Sequence, residues 1–76
     1  MKNKIKLYIE SVSKEKGIVI DDNTDLFSAG VLDSLGFIML LTYLQDEFGI
    51  QFTEENMQVE NFLCINAIAE FCESLA

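Results

Sequence analysis

Seventy-six residues allow one domain, spanning 1–76, and with half of them hydrophobic and eight aromatic a small core needs no disulfide. A formal charge of −8 argues against nucleic-acid binding, and the absence of histidine removes the commonest general base and metal ligand. No apolar run approaches the ~18 residues of a membrane span, and MKNKIKLYIE lacks the continuous apolar stretch of a signal peptide, so the expectation is a cytoplasmic monomer.

The charge is lopsided. All five lysines lie at or before Lys16, and of thirteen acids only Glu10 and Glu15 precede Gly17, which leaves eleven acids and no base beyond it. Partners that approach through basic patches fit such a surface, and so does plain solubility of a greasy small domain.

In chain order, Ile5, Tyr8, Ile9 and Val12 recur at i, i+3, i+4 and i+7, which predicts a first helix from about Asn3 to Lys16, stopped by Gly17. A long loop follows, with Ile18, Ile20, Leu26 and Phe27 as its buried points; loops of this length in a small domain are usually functional. Asp21, Asn23 and Asp25 imitate the first three ligand positions of an EF-hand. The sixth position, which needs glycine, is Leu26, and the twelfth, which needs a bidentate acid, is Leu32, so the run reads as solvated loop.

The stretch from Leu26 to Leu35, LFSAGVLDSL, alternates apolar anchors with small residues suited to a tight turn. Asp33 and Ser34 then stand directly before an apolar run with helical spacing, as an N-cap and a first-turn residue would. A helix start offers unpaired N–H groups and the positive end of the macrodipole, so a phosphate ester made at Ser34 would be held favourably. Taken alone, an Asp-Ser pair is an ordinary helix start.

The second helix is expected from Ser34 to Phe48, with Gly49 as its stop, and it is apolar on two faces. Phe37, Leu40, Leu41, Leu44 and Phe48 form one stripe, suited to a core. Leu35, Ile38, Met39 and Thr42 form another, which either packs under the loop or serves as a docking face for partners beside Ser34. Gly36 costs ~1 kcal/mol of helix propensity relative to alanine, which is tolerable drift or room for a partner's backbone. Further on, Thr53 is placed to cap a short third helix with Glu54 and Glu55 in its first turn, and a last helix should begin between Asn61 and Cys64 and end near Leu75. Its inward residues are Ile65, Ile68, Phe71, Cys72 and Leu75. Cys64 and Cys72, eight apart on this helix, are ~12 Å apart along the axis and read as free, buried thiols.

With its Asp-Leu-Phe, its Gly-Val-Leu and its Asp33-Ser34-Leu35, the run from Asp25 to Leu35 resembles the signature of acyl carrier proteins, and the similarity continues through Leu44 to Ile50 and loosely to the end. The resemblance implies an all-α fold, a small antiparallel bundle of three main helices plus one short helix with a long loop between the first two. It implies that Ser34, flanked by Asp33 and Leu35, carries covalent 4'-phosphopantetheine taken from coenzyme A, and that the chain holds an acyl or aminoacyl thioester without catalysing anything itself. The implied partners are a phosphopantetheinyl transferase, a ligase that loads the acyl or aminoacyl group and an acyl-transferring or condensing enzyme, met at Leu35, Ile38, Met39 and Thr42. Fatty-acid-type carriers place acids beside the serine on this helix, whereas here the first acid after Asp33 is Asp46. The pattern is closer to stand-alone D-alanyl or other aminoacyl carriers. The alternatives are an acidic helical interaction module that is never modified, and a calcium-regulated adaptor.

Overall fold

The computed structural model describes residues 1–75 as three α-helices and one short 3-10 helix: α1 (Lys2–Glu15), α2 (Ser34–Phe48), the 3-10 helix (Val59–Phe62) and α3 (Ile65–Leu75). No helix among the described residues is long and apolar enough to cross a membrane.

The apolar stripe of α1 faces inward as its spacing requires, with Ile5 and Ile9 fully buried and Tyr8 and Val12 packed against the core. The helix closes where Gly17 donates to the Lys14 carbonyl (3.1 Å) and Ile18 to that of Ser13 (2.9 Å). Helix α2 runs from the Asp33 cap to Gly49, whose φ of 66° is the left-handed stop that only glycine adopts without strain. Its core stripe is Leu40, Leu41 and Leu44, all buried, with Phe37 and Phe48 half-buried.

Helices α1 and α2 are antiparallel. Lys4 near the start of α1 donates to Glu47 near the end of α2 (2.6 Å), and the Tyr8 and Tyr43 rings stack with centroids 4.3 Å apart. Against their other side sits an aromatic cluster centred on Phe62, which is fully buried and meets Phe37, Phe52 and Phe71 edge to face at 5.1, 5.8 and 5.5 Å. Such pairs contribute ~0.5–1.5 kcal/mol each beyond their area. The 3-10 helix therefore exists to drive one ring into the centre.

Three expectations need correction. The short helix is not the one Thr53 was placed to cap: Thr53 Oγ1 accepts from the Asn56 N–H (3.3 Å), but the segment makes only a turn, and the short helix forms six residues later, at Val59. The deciding factor is burial of Phe62, which local capping signals do not report. Leu75 is 38% exposed, because it lies in the last turn, past the residues the core covers. Cys64 is only half-buried. It stands one residue before α3, where its Sγ accepts from the Ala67 N–H (3.4 Å), so the thiol expected to be buried within the helix caps its start instead. Cys72 is buried, and burial raises its thiol pKa to about 11.

Leu44 has no exposed surface and lies among Leu40, Leu41 and Phe48. Leu44→Ala should lower stability by ~2–5 kcal/mol in a urea melt, a large share of the ~4–11 kcal/mol usual for this length. A loss below ~1 kcal/mol would show that the α2 stripe is not the main packing surface.

Candidate functional site

The site begins at Asp25. One of its carboxylate oxygens accepts from the N–H groups of Phe27 and Ser28 (both 3.1 Å), and the other from the Ser28 hydroxyl (3.1 Å). These bonds, the Ser28 N–H first, hold the Asp25 carboxyl below the usual carboxylate range. Within the turn, Leu26 is fully buried. Its N–H donates to the Leu63 carbonyl (2.7 Å), and its own carbonyl accepts from both Val31 (2.9 Å) and Leu32 (3.0 Å). Gly30, with φ of 84°, lets the chain double back between those partners.

That closure delivers Val31 and Leu32 into the core and Asp33 to the surface in an extended conformation. The Asp33 carboxylate accepts from the Gly36 N–H at 2.7 Å, which makes it the N-cap of α2. The same bond, helped by the nearby Lys16 ammonium, depresses its pKa. Ser34 is the first helical residue and is exposed.

Gly36 has a role that neither sequence reading named. A Cβ there would lie 3.2 Å from the capping Asp33 oxygen and 3.6 Å from Leu32 Cδ2. The missing side chain makes room for the cap.

The second stripe of α2 does not pack under the loop. Leu35, Ile38 and Met39 are 66, 58 and 56% exposed, and Thr42 is exposed with its hydroxyl donating to the Ile38 carbonyl (3.1 Å). All four line one side of the helix that begins at Ser34. The loop acids are turned elsewhere: Asp21 accepts from the Asn23 N–H (2.8 Å) and the Thr24 hydroxyl (3.1 Å), and Asn23 accepts from the Asn66 amide (2.8 Å). With Asp25 bound into its own turn, the three would-be calcium ligands are engaged with separate partners. Sequence reasoning missed Asp25 as the organiser of the turn, although a serine three residues after an aspartate is the signal for such a motif.

The family model described as a phosphopantetheine attachment site matches residues 3–72. The D-alanyl carrier protein of Lactococcus lactis subsp. lactis (strain IL1403) is 38% identical over 69 residues, which cover 91% of this chain and 87% of that protein. The D-alanyl carrier protein of Streptococcus uberis (strain ATCC BAA-854 / 0140J) is 36% identical over 70 residues, covering 92% and 81%. No solved structure gives a significant match.

Asp25, Asp33 and Asp22, the last held by Lys2 and Lys6, all have folded-state pKa values below the ordinary one. Their stabilisation is complete above the unfolded carboxylate pKa of ~3.9 and is lost as pH falls through that value toward the folded ones. The melting temperature should therefore drop on acidification below about pH 5, and Asp25→Asn should flatten that drop. An unchanged acid limb in the variant would remove the turn from the account. Gly36→Ala should fail to gain the ~1 kcal/mol of helix propensity that an open position would give, and should gain it once Asp33→Ala removes the cap. Equal effects in both backgrounds would show that the cap and Gly36 are independent.

Proposed function

The chain belongs to the phosphopantetheine-attachment family, carrier proteins that bear the group covalently and catalyse nothing themselves, and from that premise we propose that Ser34 is its attachment residue and an aminoacyl group its cargo. The observation that carries the assignment is the pairing of an exposed Ser34 at the start of α2 with the Asp33 cap beside it. A phosphate ester at this point sits against helix N–H groups and the positive end of the dipole, so the residues fit the group. The group supplies a terminal thiol that holds the cargo as a thioester.

The protein's own residues supply presentation. Asp33 fixes the direction in which the serine leaves the surface, and the core stripe of α2 keeps that direction rigid. A tethered cargo meets each enzyme at a high effective concentration, which diffusion of a free substrate does not provide. D-alanine is the first cargo to test, because the named relatives are D-alanyl carriers and because acids are absent from α2 between Ser34 and Gln45. The partners of this reading are a phosphopantetheinyl transferase, an aminoacyl-loading ligase and an enzyme that removes the aminoacyl group. Leu35, Ile38, Met39 and Thr42 form the face they would meet, with apolar contact area next to the serine.

Intact mass before and after incubation with coenzyme A and a broad-specificity transferase tests the attachment. Wild type should gain one phosphopantetheine, and Ser34→Ala should keep its far-ultraviolet circular dichroism and gain none. Modification of the alanine variant would overturn the assignment. For the docking face, Ile38→Glu should leave stability within about 0.5 kcal/mol, as for ordinary surface changes, yet slow loading by a D-alanine ligase because a carboxylate must be desolvated at the contact. Loading at the wild-type rate would remove Ile38 from the face.

A further inference from the structure

Between the end of α1 and the Asp21 turn runs Ile18-Val19-Ile20, three β-branched residues that belong to neither helix nor turn. Their burial alternates as along a strand: Ile18 and Ile20 pack against the core, and Val19 between them is 96% exposed. The segment is anchored at both ends, where the Ile18 N–H donates to the Ser13 carbonyl (2.9 Å) and the Asp21 N–H to the Thr24 hydroxyl (2.8 Å). Between these anchors, no hydrogen bond among the described residues uses the N–H or the carbonyl of Val19 or Ile20. A groove of about 550 Å³ runs alongside, walled by Ser13, Gly17, Ile18 and Ile20, with Glu10 and Lys14 of α1 across from them. We propose that Ile18 to Ile20 is an open strand edge, to which the enzyme that loads the carrier adds an extended segment of its own while it engages Ser34. The proposal rests on the aminoacyl-carrier reading given above.

The backbone selects the kind of occupant. In an extended segment the N–H and carbonyl of one residue point to the same side, so the two groups of Val19 are met together by another extended backbone and not by a helix or a lone side chain. Position selects the molecule that brings it. Ile18 Cδ1 lies 3.8 Å from where a Cβ on Gly30 would stand, and Lys16 reaches the Gly30 carbonyl at 3.3 Å, so the edge shares an end of the bundle with the turn that leads to Ser34. Size then excludes an independent complex. Three residues of edge bury far less than the ~1,200 Å² of a stable interface, and two copies of this chain, each at −8, repel one another. As the second contact of an enzyme already held at α2, the pairing is effectively intramolecular, and a few hydrogen bonds are enough.

Charge gives the direction. Lys14, which has no ion pair among the described residues, precedes the edge, and Asp21 follows it. An antiparallel segment complements both by running from a base, through an apolar residue opposite Val19, to an acid. Pairing of this kind is directional, so it fixes the rotation of the carrier about Ser34, which an apolar stripe alone leaves loose.

The test uses holo carrier and a D-alanine ligase, with loading of wild type confirmed first. In quenched amide hydrogen exchange, the Val19 amide should exchange at the unprotected rate in the carrier alone and several-fold more slowly with the ligase in excess. In loading kinetics, Val19→Pro removes the donor at a place where a strand edge tolerates proline, and should raise KM for the carrier ~3- to 10-fold with kcat unchanged. Val19→Thr keeps the N–H and the shape and should load as wild type does. Circular dichroism and a urea melt check that both variants fold; if Val19→Pro does not, the exchange measurement on wild type decides alone. A Val19 amide equally exposed with and without ligase, or a folded Val19→Pro with the wild-type KM, overturns the edge and leaves the carrier reading standing. Protection that appears on concentrating the carrier alone gives the edge to a second copy and overturns the enzyme as its occupant. A wild type that is modified at Ser34 but not loaded overturns both the D-alanyl cargo and this contact.

Discussion

The backbone of Leu26 is the constraint on which the site depends. Its N–H reaches the residue before Cys64, at the entrance to α3, and its carbonyl takes two donors from the far end of its own turn. One residue thus ties the loop to the last helix and closes the turn that feeds the second. Because its side chain is fully buried, none of these bonds competes with water, and leaving any of them unmade would cost ~1–3 kcal/mol. The apolar anchor and the polar hub are the same residue, so the turn cannot shift without disturbing the core.

Charge is arranged around the same loop. Lysines of the first turns of α1 hold Asp22 from two sides and reach Glu47 at the end of α2, while the Asp22 carbonyl accepts from the Asn66 N–H at 3.1 Å. Exposed ion pairs of this kind contribute ~0–1 kcal/mol, so their part is to choose where the loop lies on the helices more than to stabilise the fold. Among the described residues Glu47 is the one acid beyond the loop in an ion pair, and every lysine is in the first sixteen residues. The result is an acidic outer surface around a site whose one nearby cation is Lys16.

How much of this the sequence reveals depends on whether the deciding contacts are local. Helix α2 is legible to the residue because Asp33 and Gly49 punctuate it, and both signals act within a turn of the backbone. Its two faces are legible as periodicity, but which of them meets water is not, because that follows from where the loop and α1 lie. The short helix is misplaced for a related reason: Thr53 and Asn56 do form the local turn their types suggest, and the helix goes instead to the segment that can bury Phe62 among three other rings. Cys64 reads as a buried thiol but sits half-buried, just before a helix start. The family signature around Ser34 is legible because it is a sequence pattern; the geometry that makes it usable, with Asp25 shaping the turn and Gly36 clearing the cap, is visible only in three dimensions.

Under the function proposed above, helix α2 has two requirements to satisfy, and both call for apolar residues. A core stripe needs leucines at every turn, and a docking stripe needs apolar residues on the far side. Together they leave a fifteen-residue helix with only Gln45, Asp46 and Glu47 as side chains of strong polarity, all in its last turn. Exposed single apolar residues are ordinary, but three on one stripe beside the exposed serine invite self-association. The acidic character of the rest of the surface opposes that, since copies of a chain at −8 repel one another at moderate salt. The charge balance and the greasy helix therefore go together: the acids that keep copies of the chain apart permit an apolar stripe at Leu35, Ile38 and Met39, the face proposed above for partner docking.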